Sequence, residues 1–326
     1  MSEDPEERAR PAVKWLWLLG VMLAAGAAIP AQGRVNAELA AAANDPLVST
    51  LFTYLVGLAI IAPVTLLTRR GRWGLAAVGP ALRSGEVSWW HLLAGCLGTY
   101  FIFTQGVAMA VVGVAVFSVA VVTGQTIGGL LWDKIGLGSG GPKQLNGFRL
   151  IGAALTIVSV LWAVSPQLGS NGGLAWALMV VLPFTGGFVQ SAQQAINGRQ
   201  TAAYGTLLPA TLFNFLTGAL LMAAVYGGKV LIAGTGEALP TVWWNYLGGA
   251  LGLIFVGLGA YLITQVGVLV TAMGMIAGQL VGSLVLDIIF PAPGSVIAFA
   301  TVAGTVLTLV AVLVASLPDI RRSRPR

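Results

Sequence analysis

Gln125 and Gln279 stand in otherwise apolar stretches, each long enough to cross a bilayer. A polar side chain there is costly and needs an account. Each amide offers donors and an acceptor, so the pair would hold a polar solute between them. Either would equally hydrogen-bond a neighbouring helix and fasten the bundle. Gln32 and Asn36, four apart, share one helical face. Gln193 and Asn197 repeat that face further along, with Gln190 beside them. Both pairs lie toward the ends of their spans, as gate or vestibule contacts or as helix-end hydrogen bonders. Arg34 and Glu38 are also four apart, suited either to drawing in an anionic solute or simply to pairing with each other. Asp133 and Asp287 sit near the C-terminal ends of two helices, where the helix dipole disfavours a carboxylate. Their recurrence suits proton coupling or gating, and a solvated interfacial acid is the simpler alternative. No acid lies near the middle of any span, so carboxylate-driven proton exchange has no evident residue.

The elements that position these residues follow from the charges. The 326 residues are 57% hydrophobic and only 9% charged, against about 25% charged in an average soluble domain. That composition cannot build a charged shell, which excludes a soluble enzyme, a nucleic-acid binder and a disordered linker. The charge-free stretches are 15–33, 46–68, 87–132, 150–198, 200–228, 238–286 and 288–318. At about 20 residues per crossing, they hold ten transmembrane helices. With the N-terminus cytoplasmic, the basic loops at 69–86 and 134–149 and the basic C-terminal tail all face the cytoplasm. Only Arg34 and Lys229 fall on the other side, so the positive-inside rule places both termini in the cytoplasm. The basic start followed by Trp15–Ala28 has the pattern of a signal peptide. Residues 31–36, however, have counterparts inside the second half, so this segment is expected to remain as the first helix. The single Cys96 permits no disulfide framework.

The chain repeats itself. Residues 89–133 align without gaps to 243–287, with 16 of 45 positions identical. Shared positions include Trp89-Trp90 with Trp243-Trp244, Gly124-Gln125 with Gly278-Gln279, and Asp133 with Asp287. Upstream, 30–57 matches 191–218, pairing Gln32 with Gln193 and Asn36 with Asn197. The expected architecture is an all-α integral membrane protein with ten helices in a 5+5 inverted-topology repeat. A cytoplasmic tail at 1–14 precedes the first five helices (15–165). The second, inverted five span 173–316, and a basic tail follows at 317–326. Five helices is an odd number, so the second half enters the membrane upside down, and the arginines of loop 69–86 have no equal at 227–242. Inverted repeats are typical of secondary transporters with a substrate site near the midplane. The spacing Ala120-Gly124-Gly128, repeated as Gly274-Gly278-Gly282, permits close helix contact within one chain or between chains, leaving a homo-oligomer open. The Trp pairs and His91 are expected in an interfacial belt.

The motif Gln32-Gly-Arg-Val-Asn36-Ala-Glu-Leu39, the Phe52–Gly57 segment, Trp89-Trp90, and Gly124-Gln125 leading to Asp133 resemble the drug/metabolite transporter superfamily, with its EamA-like inverted repeat. Within it they are similar to the YdcZ-like branch, of which this chain looks like a fused pair of five-helix units. The resemblance implies transport and carries over no substrate residue. The expectation is therefore a secondary transporter in a bacterial inner membrane, moving a small polar or amphipathic metabolite or a drug-like solute by alternating access. A non-transporting accessory or lipid-interacting membrane protein is the alternative. An intramembrane enzyme would need a Ser-His pair or paired Asp within the spans, so no enzyme is expected. No cofactor and no metal is expected either, and no Walker-type loop is present. The partners anticipated are a small-molecule substrate and the lipid bilayer, with no nucleic acid.

Overall fold

A computed structural model describes residues 5–139, 141–142, 144, 146–168, 173–234, 238–291 and 299–322. Lys143, Arg324 and Arg326 of the charge argument, and the outermost parts of both expected tails, lie outside these residues. The described chain is a bundle of eleven α-helices. They are α1 Pro5–Ala42, α2 Pro46–Leu67, α3 Arg69–Ser84, α4 Ala94–Val112, α5 Val114–Ile135, α6 Gly147–Leu168, α7 Gly173–Tyr204, α8 Leu208–Ala233, α9 Gly248–Val266, α10 Val268–Ile289 and α11 Phe299–Arg322. Short 3-10 turns at Trp89–Leu93 and Trp243–Tyr246 lead into α4 and α9.

Local chemistry explains the breaks. Asp45 caps α2 by accepting the Leu47 N–H at 2.9 Å, and Pro46 takes the first helical position. Thr68 caps α3 through the Gly71 N–H at 3.1 Å. Gly113 (φ 83°) separates α4 from α5, and Gly267 (φ 81°) separates α9 from α10. Only glycine adopts that backbone without strain, and it turns one span sharply into the next.

Nine helices among the described residues are long and apolar enough to cross a bilayer: α1 from Trp15, α2, α4 with its leading turn, α5, α6, α8, α9, α10 and α11. The 32-residue α7 is long enough too, but Gln190, Gln193, Gln194, Asn197, Arg199 and Gln200 crowd its second half. Two features differ from the expectation. The arginine-rich segment 69–86 is mostly the amphipathic helix α3, which buries Gly71, Gly74, Val78 and Ala81 and exposes its arginines and Trp73. The segment expected as an N-terminal tail is helical from Pro5 onward.

The most extensive helix pairs join distant parts of the chain: α6 with α11, α5 with α7, α1 with α10, α4 with α7, and α2 with α8. Glycine lets these backbones meet. A Cβ on Gly124 would strike the Phe184 carbonyl across α5–α7, and one on Gly278 would strike the Leu23 carbonyl across α10–α1. Likewise Gly187 lies on Val121 and Gly26 on Met275, while Gly128 meets Phe188 and Ser191 and Gly282 meets Ala27. Gly57 carries the Phe215 ring and Gly218 the Tyr54 ring. Both small-residue stripes are thus occupied by contacts within the chain, the arrangement by which membrane helices gain packing energy.

Candidate functional site

The polar face of α7 sets the site. Gln190, Gln193, Gln194, Asn197 and Thr201 recur at spacings of three and four, so they form one stripe. That stripe lines a cavity of about 230 Å³. Thr211, Asn214 and Phe215 of α8 stand opposite, with Gln32 of α1, Thr53 and Tyr54 of α2, Phe101 of α4 and Phe255 of α9 closing the remaining walls. Glycines make room for the amides. A Cβ on Gly98 would come within 2.5 Å of the Gln193 Nε2 and 2.8 Å of the Tyr54 Oη. On Gly252 it would lie 3.1 Å from the Gln32 Nε2. The cavity extends from Gln32 and Thr53 to the α7–α8 turn, where Gln194 and Gly198 are exposed. Among the described residues, the lining carries amides, hydroxyls and apolar groups, and no Asp, Glu, Lys, Arg or His.

The other end of the bundle is tied shut. Asn36 Nδ2 donates to Gln105 Oε1 at 2.8 Å, and Thr53 Oγ1 donates to Asn36 Oδ1 at 2.7 Å. All three residues are buried. Their bonds fasten α1 to α2 and α4. Asp287, 3% exposed, accepts the Val114 N–H on Oδ1 at 2.8 Å and the Ala115 N–H on Oδ2 at 2.7 Å. The N-cap of α5 is Gly113, which has no side chain to offer, so α10 supplies the cap. The carboxylate at the unfavourable end of its own helix therefore rests on the favourable end of another. Lys229 pairs with Asp45, and Arg34 with Glu38 at 2.7 Å, at this same end.

The remaining candidates are placed otherwise. Gln125 and Gln279 do not face each other across the cavity and neither lines it. Gln125 Nε2 donates to Gln190 Oε1 at 2.6 Å, tying α5 to α7, and Gln279 is buried where α10 meets α1. Asp133 bonds Arg149 at 3.1 Å. His91 is not in an interfacial belt. It is 2% exposed, its Nδ1 accepting the Ser88 N–H at 3.0 Å, while its carbonyl accepts from Gln200 Nε2 at 2.9 Å. The neighbouring Trp89 and Trp90 are exposed, as are Trp243 and Trp244.

Of the expected site residues, Gln32, Gln193 and Asn197 meet in the cavity, whereas Asn36 and Gln125 bond neighbouring helices and Gln279 is buried where α10 meets α1. The sequence pattern of the family described as "Putative inner membrane exporter, YdcZ" matches residues 16–162 and again 178–314. The chain belongs to this family. It is also 33% identical over 147 residues to the inner membrane protein YdcZ of Escherichia coli (strain K12), covering 45% of this chain and 93% of that protein. This is a multi-pass protein of the inner membrane.

Thr53, Tyr54, Gln194, Thr201, Thr211 and Asn214 also line the cavity and had not been singled out. Gln194 and Thr201 were legible as continuations of the Gln190–Asn197 stripe. Asn214 is the repeat counterpart of Thr53 (offset 161), and its own helix carries no amide stripe like that of α7.

Proposed function

We propose that the protein is a secondary transporter that exports a small polar or amphipathic solute by alternating access. The observation that carries this reading is a cavity lined by amides that reaches one end of the bundle while the other end is hydrogen-bonded shut. The direction rests on the family description, which names an inner membrane exporter. In this reading α7 is the tenth span, and residues 15–165 and 173–316 are inverted halves of five spans each. The contacts support it in pairs. Gly124 with Phe184 answers to Gly278 with Leu23, and Gly57 with Phe215 answers to Gly218 with Tyr54, each at the repeat offsets. Both termini and the open end face the cytoplasm, because the arginines of α3 lie there.

Inversion also defines the alternate state. Asn36, Thr53 and Asp287 close the outer end; their counterparts Asn197, Asn214 and Asp133 belong to the inner end. On outward opening, Asp133 leaves Arg149 and caps Val268 and Leu269, the counterparts of Val114 and Ala115, while Asp287 releases α5. Arg34–Glu38 and Asp45–Lys229 act with this outer gate. No step calls for bond-making, so the protein is a carrier and not an enzyme. The test is counterflow in proteoliposomes across a panel of metabolites. A solute carried by the wild type and lost in Gln193→Ala with Asn214→Ala is the expected result; transport undiminished by the double change refutes the site.

A further inference from the structure

We infer that the cavity takes an uncharged solute carrying at least two hydrogen-bond donors and an apolar face. This rests on the transport reading for its purpose but not for its chemistry. Gln32, Gln190, Gln193, Gln194, Asn197 and Asn214 supply six amides, and among the described residues no Asp, Glu, Lys, Arg or His joins them. An ion buried without a counter-charge keeps much of its desolvation penalty, and neutral amides offset only part of it. Two of these amides are incomplete. Asn214 is 8% exposed, and its Oδ1 and that of Asn197 are buried without a hydrogen-bond partner. Buried polar atoms are ordinarily satisfied, so an unpaired amide oxygen on a residue that lines the cavity is a place for a donor from whatever enters.

The counterpart end shows what satisfaction looks like. There Asn36 is bonded through both its Oδ1 and its Nδ2, and its end of the bundle is sealed. In the cavity the solute completes what Thr53 and Gln105 complete for Asn36. Phe101, Phe215 and Phe255 provide the apolar wall. The size agrees with a small molecule, since about 230 Å³ is room for roughly eight waters at ~30 Å³ each. The principal rival is an anion. α8 starts beside the cavity with no cap from its N-cap residue Leu207, although Thr206 Oγ1 accepts the Leu208 N–H at 3.5 Å, and Leu207, Ala210 and Thr211 line the wall. A helix N-terminus attracts negative charge, but it serves equally as donor to a neutral acceptor atom.

The experiment uses the full-length protein in lipid nanodiscs and two sets of related solutes of different charge: nicotinamide, nicotinate and 1-methylnicotinamide; glucose, gluconate and glucosamine. Thermal stabilisation is read against concentration for each. A neutral member is expected to stabilise at concentrations about tenfold or more below its charged partners. Asn214→Leu should abolish this shift while leaving the midpoint without solute in place. Asn214→Asp should turn the preference toward the cationic member, which guards against a variant that merely misfolds. Stronger stabilisation by nicotinate or gluconate, or by neither neutral member, overturns the inference. A neutral compound that binds but is not carried in counterflow defeats transport and leaves this inference standing. A charged compound that is carried does the reverse.

Discussion

Replacing Asp287 should loosen the outer seal by an amount the structure lets one reckon. Its two oxygens each accept one N–H of the first turn of α5, at 2.8 and 2.7 Å, in a buried position. Hydrogen bonds to a charged group contribute about 1.5–3 kcal/mol in soluble proteins, whereas side-chain bonds within membrane proteins average nearer ~0.6 kcal/mol. Losing a helix cap costs about 0.5–2 kcal/mol. Between these bounds, Asp287→Asn, which keeps one acceptor oxygen, should cost about 1–1.5 kcal/mol, and Asp287→Ala about 2–3 kcal/mol. If the loss falls on the outward-closed state, the population open to the outside rises by roughly tenfold for Asn and 30- to 150-fold for Ala, at about 1.4 kcal/mol per decade.

The assay places a cysteine at Ile29, an apolar residue of the cavity wall, in a Cys96→Ala background. A membrane-impermeant maleimide is then added from the outer face of right-side-out vesicles. The labelling rate should rise in the order wild type, Asn, Ala. Unchanged labelling in both variants, with folding intact, would show that the cap holds α5 without holding the gate.

The other expectations concern packing and pairing. Gly124→Ala and Gly278→Ala each drive a Cβ into a facing carbonyl and should destabilise by about 1–3 kcal/mol. Gly129→Ala, which meets nothing within 4 Å, should be neutral or stabilising, and thermal unfolding of the three variants side by side decides it. Gln125→Leu removes the bond to Gln190 and should cost about 0.6–2 kcal/mol in thermal unfolding. It should leave solute affinity nearly unchanged; a large loss of binding would return Gln125 to the site. Lys229→Ala strands the buried Asp45 carboxylate and should raise outside labelling of the Ile29 cysteine, with Asp45→Asn/Lys229→Ala recovering part of the difference.

Much of the molecule was legible before any coordinates. The scarcity of charge marked ten spans, and nine of the described helices are long and apolar enough to cross a bilayer; the glycines at 124, 128, 278 and 282 announced close contacts that do occur. Gly113 and Gly267, equivalent in the repeat, each break one span from the next. Less legible was α3. An arginine-rich stretch between spans reads as a loop, and only its docking against α7 and α8 gives Val78 and Ala81 a side to bury. His91 looked interfacial from its Trp neighbours, yet the 3-10 turn points it inward while they point out.

Periodicity tells which residues share a face of their own helix, and that is what the sequence by itself determined: the α7 stripe, the Gln32–Asn36 face, the matched acids. It does not tell which other helix covers that face. Gln125 and Gln279 are equivalent in the repeat, and both proved to lie in helix–helix contacts rather than in the cavity. Asn36 and Asn197 are equivalent too, but one is bonded on both sides and the other borders open space. Only the tertiary structure decides this, because the same residues in one repeat can be sealed at one end of the bundle and open at the other. The carboxylate of Asp287 shows the point most simply. Unfavourable at the end of α10, it acquires its partner from α5, a helix more than 170 residues away in the chain.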